Sequence, residues 1–252
     1  MCRGKSITRR GLLKCAGAAT LPMLSGCDVP VDLVSDETVE AMGLQAWQEI
    51  QATSPVARDP ELQATLDRVS ARLLTSAGEA PADWEVLVFA RPEVNAFALP
   101  GKKIGVFEGM FRVIGNEDQL AAIVGHEIGH LQAEHSQERM NAQLSADWGI
   151  SLLSFLLSLG GVEYAAEIAG ALGVGVEYGL VLPYSRQQEL EADRLGLVTM
   201  ASAGFAPDQA VELWRRMEAA SGPRLPEFLA THPAPEARIE AIEAMLPEVS
   251  RG

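Results

Sequence analysis

His126 and His130 stand four residues apart with Glu127 beside the first, in the segment Gly125-His126-Glu127-Ile128-Gly129-His130. On a helix, residues four apart lie on one face one turn apart, so both imidazoles can reach a single ion. Glu127 is turned about 100° from His126, where a carboxylate meets a metal-bound water rather than the metal. Two ligands and a general base within one turn predict metal-assisted hydrolysis, with one Zn2+ per chain as cofactor.

A third ligand has to come from elsewhere in the chain. His135 is five residues beyond His130 and points well round the helix, and Ala133 and Ser136 stand where the three-histidine extension needs glycine and histidine. A glutamate from a second helix is the other common solution, and residues 187–200 carry apolar side chains at helical spacing with two candidates, Glu189 and Glu191. Asp193 decides between them: it lies four residues after Glu189, on the same face, where it can accept the free N–H of a zinc histidine, whereas Glu191 points to the opposite side. The reading is therefore Glu189 as ligand and Asp193 as orienter. Three protein ligands leave one position for water, the mark of a catalytic site.

The elements that must position these residues lie on either side of them. Asn116 followed by Glu117 and Asp118 predicts a helix start with acids in the first turn, and Leu120, Ile123, Val124, Ile128 and Leu131 recur at helical spacing. Residues 35–76 read as two amphipathic helices broken at Pro55 and Pro60, and residues 84–90 and 103–107 as short strands. Between the strands, Asn95, Ala96, Phe97 and Ala98 open a turn-rich link just before the zinc helix. A strand here, beside the metal, could pair with an extended substrate backbone; the alternative is a purely structural hairpin.

The N-terminus predicts a location. Thr8-Arg9-Arg10-Gly11-Leu12-Leu13-Lys14 matches a twin-arginine export pattern, and Leu24-Ser25-Gly26-Cys27 has the form of a lipobox, so residues 1–27 read as a lipoprotein signal and 28–252 as a single domain. The apolar run from Leu12 to Leu24 contains Lys14 and Pro22 and is too short to span a bilayer comfortably. Cleavage before Cys27 leaves that residue to receive the lipid and removes Cys2 and Cys15, so no disulfide framework is expected. Asp28 resembles the signal that retains lipoproteins in the inner membrane, on the periplasmic side.

Charge narrows the partners. The net charge is −14, and five of the 20 basic residues but none of the 34 acids fall within residues 1–27. The processed chain is more acidic still, which argues against nucleic acid and leaves membrane attachment to the lipid. Residues 148–183 are strongly apolar but are interrupted by Gly160-Gly161, Glu167 and Glu177; they read as a buried helical hairpin or a mobile cover rather than a membrane span. Near the C-terminus His232 sits in a proline-stiffened turn, Thr231-His232-Pro233-Ala234-Pro235, before a helix through Ile239, Ile242 and Leu246. A loop histidine of this kind could stabilise an oxyanion, occupy the open zinc position as a latch, or simply cap its own turn.

Taken in order, residues 95–101, the His126–His130 motif, Ser185-Arg186-Gln187-Gln188-Glu189-Leu190-Glu191-Ala192-Asp193, and His232-Pro233 through Arg238 resemble the CAAX-prenyl-protease/HtpX-type zinc peptidase family. Within it they are most similar to the soluble periplasmic members of the BepA, LoiP and YcaL kind. Lys102 departs from the pattern, standing where many members repeat glycine. The resemblance implies an α+β, mostly helical gluzincin domain with a small β-sheet beside the zinc helix. It implies zinc on His126, His130 and Glu189, with Asp193 and Arg186 as supports and His232 as the active-site loop histidine. It further implies polypeptide substrates and endopeptidase activity in envelope quality control, with Glu127 moving the proton. Two alternatives stand beside that reading: a catalytically silent binding or chaperone lipoprotein, against which the intact Glu127 argues, and a processing peptidase with one dedicated substrate.

Overall fold

The computed structural model describes residues 35–141, 184–220, 227–232 and 235–249, which belong to one compact unit beginning at Asp32. The expected signal with Cys27 and Asp28, and the apolar run 148–183, lie outside the described residues.

Two helices come first. Helix α1 (Asp36–Thr53) starts at Ser35, whose side chain accepts from the Thr38 N–H, and α2 (Pro60–Ser76) at Asp59, which accepts from the Glu61 N–H with Pro60 in the first turn. Both caps satisfy N–H groups that a helix start leaves open.

The sheet that follows holds three strands, β1 (Glu85–Phe89), β2 (Ala96–Leu99) and β3 (Lys103–Phe107), in the order β1-β3-β2. β1 runs parallel to β3, and β2 pairs antiparallel with it. Side chains alternate across the sheet as the pleat requires. Val88, Ala96, Ala98, Ile104 and Val106 join the main core with Leu66, Val69 and Leu73 of α2. Phe89, Phe97 and Phe107 turn to the other face and pack with Trp47 of α1, the Trp47–Phe89 rings 5.4 Å apart and edge-on. Gly105 makes room there, because a Cβ at that position would lie 2.3 Å from the Phe97 ring.

The three-residue link from β2 to β3 carries two successive residues in the left-handed region, Gly101 (φ 85°) and Lys102 (φ 60°). Glycine adopts that conformation without penalty; Lys102 does not, which is the physical content of its departure from the family pattern.

Helix α3 (Glu117–Gln132) carries the histidine pair, and Asn116 caps it by accepting from the Gln119 N–H at 2.9 Å. It is buried along most of its length: Leu120, Ile123, Val124 and Ile128 are fully covered. Burial of each such side chain contributes on the order of 1.5–3 kcal/mol. Helix α4 (Arg186–Ser202) crosses it, followed by α5 (Gln209–Ala220), α6 (Glu227–Thr231) and α7 (Pro235–Val249). Among the described residues no helix is long and apolar enough to cross a membrane. The architecture is the expected one, mostly helical with a small sheet against the histidine helix.

Candidate metal centre

Helices α3 and α4 can approach closely because small residues face each other where they cross. A Cβ on Gly129 would sit 2.7 Å from the Ala192 carbonyl, and one on Gly196 would sit 2.9 Å from the Gly125 carbon. The glycines flanking Glu127 and His130 are therefore packing residues, and a methyl at Gly129 would push the two helices apart. At the start of α4 a reciprocal cap locks the first turn: Ser185 Oγ accepts from the Gln188 N–H at 3.2 Å, and Gln188 Oε1 from the Ser185 N–H at 3.0 Å. Glu189, one residue further, is thereby aimed at the α3 histidines.

Four buried residues converge: one ligand atom from each of His126, His130, Glu189 and His232 lies within 4.8 Å of the others. His126 Nε2 is 3.0 Å from His130 Nε2 and 3.3 Å from His232 Nδ1. Glu189 approaches all three, at 3.6 Å from His126 Nε2, 3.5 Å from His130 Nε2 and 2.9 Å from His232 Nδ1. Glu127 stands alongside, its Oε1 3.5 Å from His232 Nε2. The backbone N–H of Ala98, on β2, favours the charged form of Glu127.

The donor set fits a divalent cation. Burial pushes His126 well below the usual imidazole range, brings His130 down to about 4 and lowers His232, so all three are neutral near pH 7 and turn ring nitrogens toward one another. Burial alone would raise the Glu189 carboxyl, but hydrogen bonds from His130 and His232, with Arg238 beside it, hold it far below the usual range. Glu127 is pushed well up, first by burial and then by the Glu189 charge, and its Oε1 is buried without a hydrogen-bond partner. Two carboxylates, of Glu189 and Asp193, contact the guanidinium of Arg238. A dication among the histidines balances that excess.

The outer contacts were only partly legible. Asp193 Oδ1 stands 3.0 Å from His126 Nδ1. Arg186, by contrast, is exposed at the first helical position, because side chains of a first turn lean back toward the N-terminus and so out of the buried interface. The guanidinium that reaches the acids belongs to Arg238 of α7. It is fully buried, donates from Nε to Asp193 Oδ2 at 2.8 Å, contacts Glu189 Oε2 through Nη1, and lies 3.8 Å over the Trp214 ring. An arginine beside Ile239 on a helix with an apolar face signals a buried charge that must find a carboxylate. Tyr184 was not anticipated; its ring stacks on His130 with centroids 3.8 Å apart.

The four residues expected to meet substrate divide by face. Asn95 is buried and its Oδ1 accepts from the Ala96 N–H. The Phe97 ring belongs to the aromatic cluster under α1 and is directed away from the histidines. Ala96 and Ala98 turn their backbone groups away from β3, since Asn95, two residues before Phe97, makes the ladder bond to Phe107.

The family model for peptidase family M48 matches residues 57–246. The chain is similar to a mitochondrial metalloendopeptidase OMA1 of Schizosaccharomyces pombe, 35% identical over 220 residues that cover 85% of this chain and 63% of that protein. It is also similar to a putative beta-barrel assembly-enhancing protease of Vibrio cholerae, 30% identical over 92% of this chain and 51% of that one. The beta-barrel assembly-enhancing protease of Escherichia coli K12 is 29% identical over 79% of this chain and 42% of its own length. This chain thus spans less than two thirds of the length of these relatives, and because they include mitochondrial and bacterial proteins alike, they single out no subgroup of the kind the motifs suggested. With a family match over most of its length and a buried cluster of three histidines and a glutamate able to hold a metal, the chain belongs to peptidase family M48.

Proposed function

We infer that the protein is a zinc-dependent endopeptidase that cleaves misfolded or unassembled polypeptides of the cell envelope. The observation that carries the catalytic part is the position of Glu127, buried against the four-residue cluster with its Oε1 3.5 Å from His232 Nε2. In this reading His126, His130 and Glu189 hold the zinc, and Asp193, backed by Arg238, orients His126. When bound, zinc supplies a Lewis acid for the scissile carbonyl and for a water molecule. Glu127 takes a proton from the attacking water and delivers it to the amine nitrogen as the C–N bond breaks. An extended substrate lies along β2 rather than on the Phe97 ring.

His232 favours a second reading of the same site, a latched enzyme. Its Nδ1 stands among the donor atoms themselves, 2.9 Å from Glu189 and 3.3 Å from His126 Nε2, where a fourth ligand would be. A histidine there closes the position that water needs. Released from it, the same side chain is within reach of the reacting oxygen.

The location rests on sequence: the twin-arginine pattern and the lipobox support attachment through Cys27 on the periplasmic side, with Asp28 favouring the inner membrane. The similarity to bacterial beta-barrel assembly-enhancing proteases supports envelope substrates.

The test is cleavage of unfolded casein by the purified, zinc-loaded protein beside Glu127→Gln and His232→Ala, with metal content measured for each. Glu127→Gln is expected to keep one zinc and lose at least about 10²-fold in turnover. His232→Ala is expected to raise turnover if the latch reading holds and to lower it if the oxyanion role dominates. A wild-type chain that binds no zinc overturns the assignment.

A further inference from the structure

His135 and Glu191 contribute nothing to the metal cluster, and neither is used by the chemistry above. The structure nevertheless puts them in line behind one of its members. Helix α3 ends at Gln132, and the chain turns through Ala133 and through Glu134, whose φ of 54° is left-handed, before resuming as helix over residues 135–141. That reversal swings His135 out of the helical phase in which it would face away from the site. Its Nδ1 comes to 2.9 Å from His130 Nδ1, and its Nε2 lies 3.4 Å from Glu191 Oε2 on α4. His135 is 1% exposed, whereas the Glu191 side chain is 63% exposed.

With a metal on His130 Nε2 the proton positions along this line have one consistent solution. His130 turns Nε2 into the cluster, where a ligand nitrogen carries the lone pair, so Nδ1 carries the hydrogen. His135 Nδ1 must then accept, which places the His135 hydrogen on Nε2, facing the Glu191 carboxylate. Tyr184 covers the face of His130 at 3.8 Å, so ring plane and tautomer are held by different neighbours.

We propose that His135, backed by Glu191, is a positioning residue for His130: a neutral imidazole that accepts the His130 Nδ1 hydrogen, fixes its tautomer and aims Nε2 at the metal. The two α3 histidines are thus oriented by unlike partners. His126 leans on a carboxylate tied to a buried arginine, and His130 leans on an imidazole tied to an exposed carboxylate. The proposal rests on the zinc reading for its purpose, but the hydrogen bond itself can be tested without zinc.

In the full chain labelled with 15N histidine, a scalar coupling between His130 Nδ1 and His135 Nδ1 across the hydrogen bond is expected, with and without zinc. Its absence from both forms overturns the pairing whatever the metal does. Zinc affinity, measured by competition with a chelator, is the second readout. His135→Phe keeps the ring volume and removes the acceptor, and is expected to weaken zinc binding by about 10–100-fold. His135→Asn places an oxygen where Nδ1 stood and is expected to stay within a few-fold of wild type. Glu191→Gln is expected to shift affinity by only a few-fold, since its carboxylate is exposed. If the phenylalanine and asparagine variants lose affinity equally, or the phenylalanine variant loses none, the positioning role is wrong. Should His135→Phe fail to fold, the coupling in the wild-type chain and the asparagine variant decide the matter. A wild-type chain that shows the coupling but binds no zinc retains the hydrogen-bonded pair and defeats the zinc reading.

Discussion

The two edges of the small sheet are treated in opposite ways. Along the outer edge of β1 the chain pairs its own backbone groups: Gln63 of α2 donates to Val86 O and accepts from the Val88 N–H, both at 2.9 Å, and Ala57 N and Pro55 O pair with Val88 O and Ala90 N at 2.8 Å. Along β2 the Ala96 N–H is taken by Asn95, and the Ala98 N–H favours the charged form of Glu127. A sheet edge left to itself invites other chains. In this molecule the edge away from the histidines is closed by a glutamine with no part in the chemistry. The edge beside them is buried, Ala96 1% and Ala98 8% exposed.

That contrast can be broken from either side. The largest effect is expected for Ala98→Pro, which deletes the N–H that favours the charged form of Glu127 while sparing the β2–β3 ladder, because that N–H faces away from β3. Casein turnover should fall by about 10²-fold or more as the carboxylate loses that N–H and the substrate its edge, with zinc content unchanged. Retained turnover would show that the β2 edge is merely structural.

Next comes Gln63→Ala, which strips both partners from β1. Leaving Val86 O and Val88 N unpaired is expected to cost about 1–3 kcal/mol in chemical denaturation, and turnover per folded molecule should not change. An activity loss exceeding the unfolded fraction would mean that the two edges are coupled.

The smallest effect is expected at the link between β2 and β3. Lys102→Gly relieves a left-handed lysine but gives up the exposed contact with Glu79 at 2.7 Å and adds freedom to the unfolded chain. A net stabilisation of at most about 1 kcal/mol is expected, read as a small rise in Tm. Metal removal offers a check on the centre itself: a strong chelator should lower Tm in wild type, since zinc binds only the folded chain. The same chelator should have little effect on Glu189→Ala.

What sequence reading reached, and what it missed, follows distance along the chain. The helix starts at Ser35 and Asn116, the break between α1 and α2, and the two flanking strands are local matters of capping, proline and side-chain alternation. Pairs within one helix, such as Glu189 and Asp193, could be placed on a common face. Arg238 could not be paired, because it meets Asp193 across 45 residues, and Phe97 could not be assigned to a face without knowing that α1 covers one of them. Glu191 and His135 were set aside on helical phase alone. The phase argument is sound within a helix and fails at His135, since the turn through Glu134 re-aims it.

The sequence by itself determined the chemistry on offer: two imidazoles and a carboxylate on one turn, and a second helix with Glu189 and Asp193 on one face. These are contacts within four residues, governed by helix geometry. Only the tertiary structure decided which guanidinium neutralises the acids, that His232 reaches the donor atoms, and that His130 leans on His135. Each of those depends on where separate elements come to rest, and burial makes that placement binding, because a charge or hydrogen-bonding group carried into the core must find a partner there, wherever in the chain that partner lies.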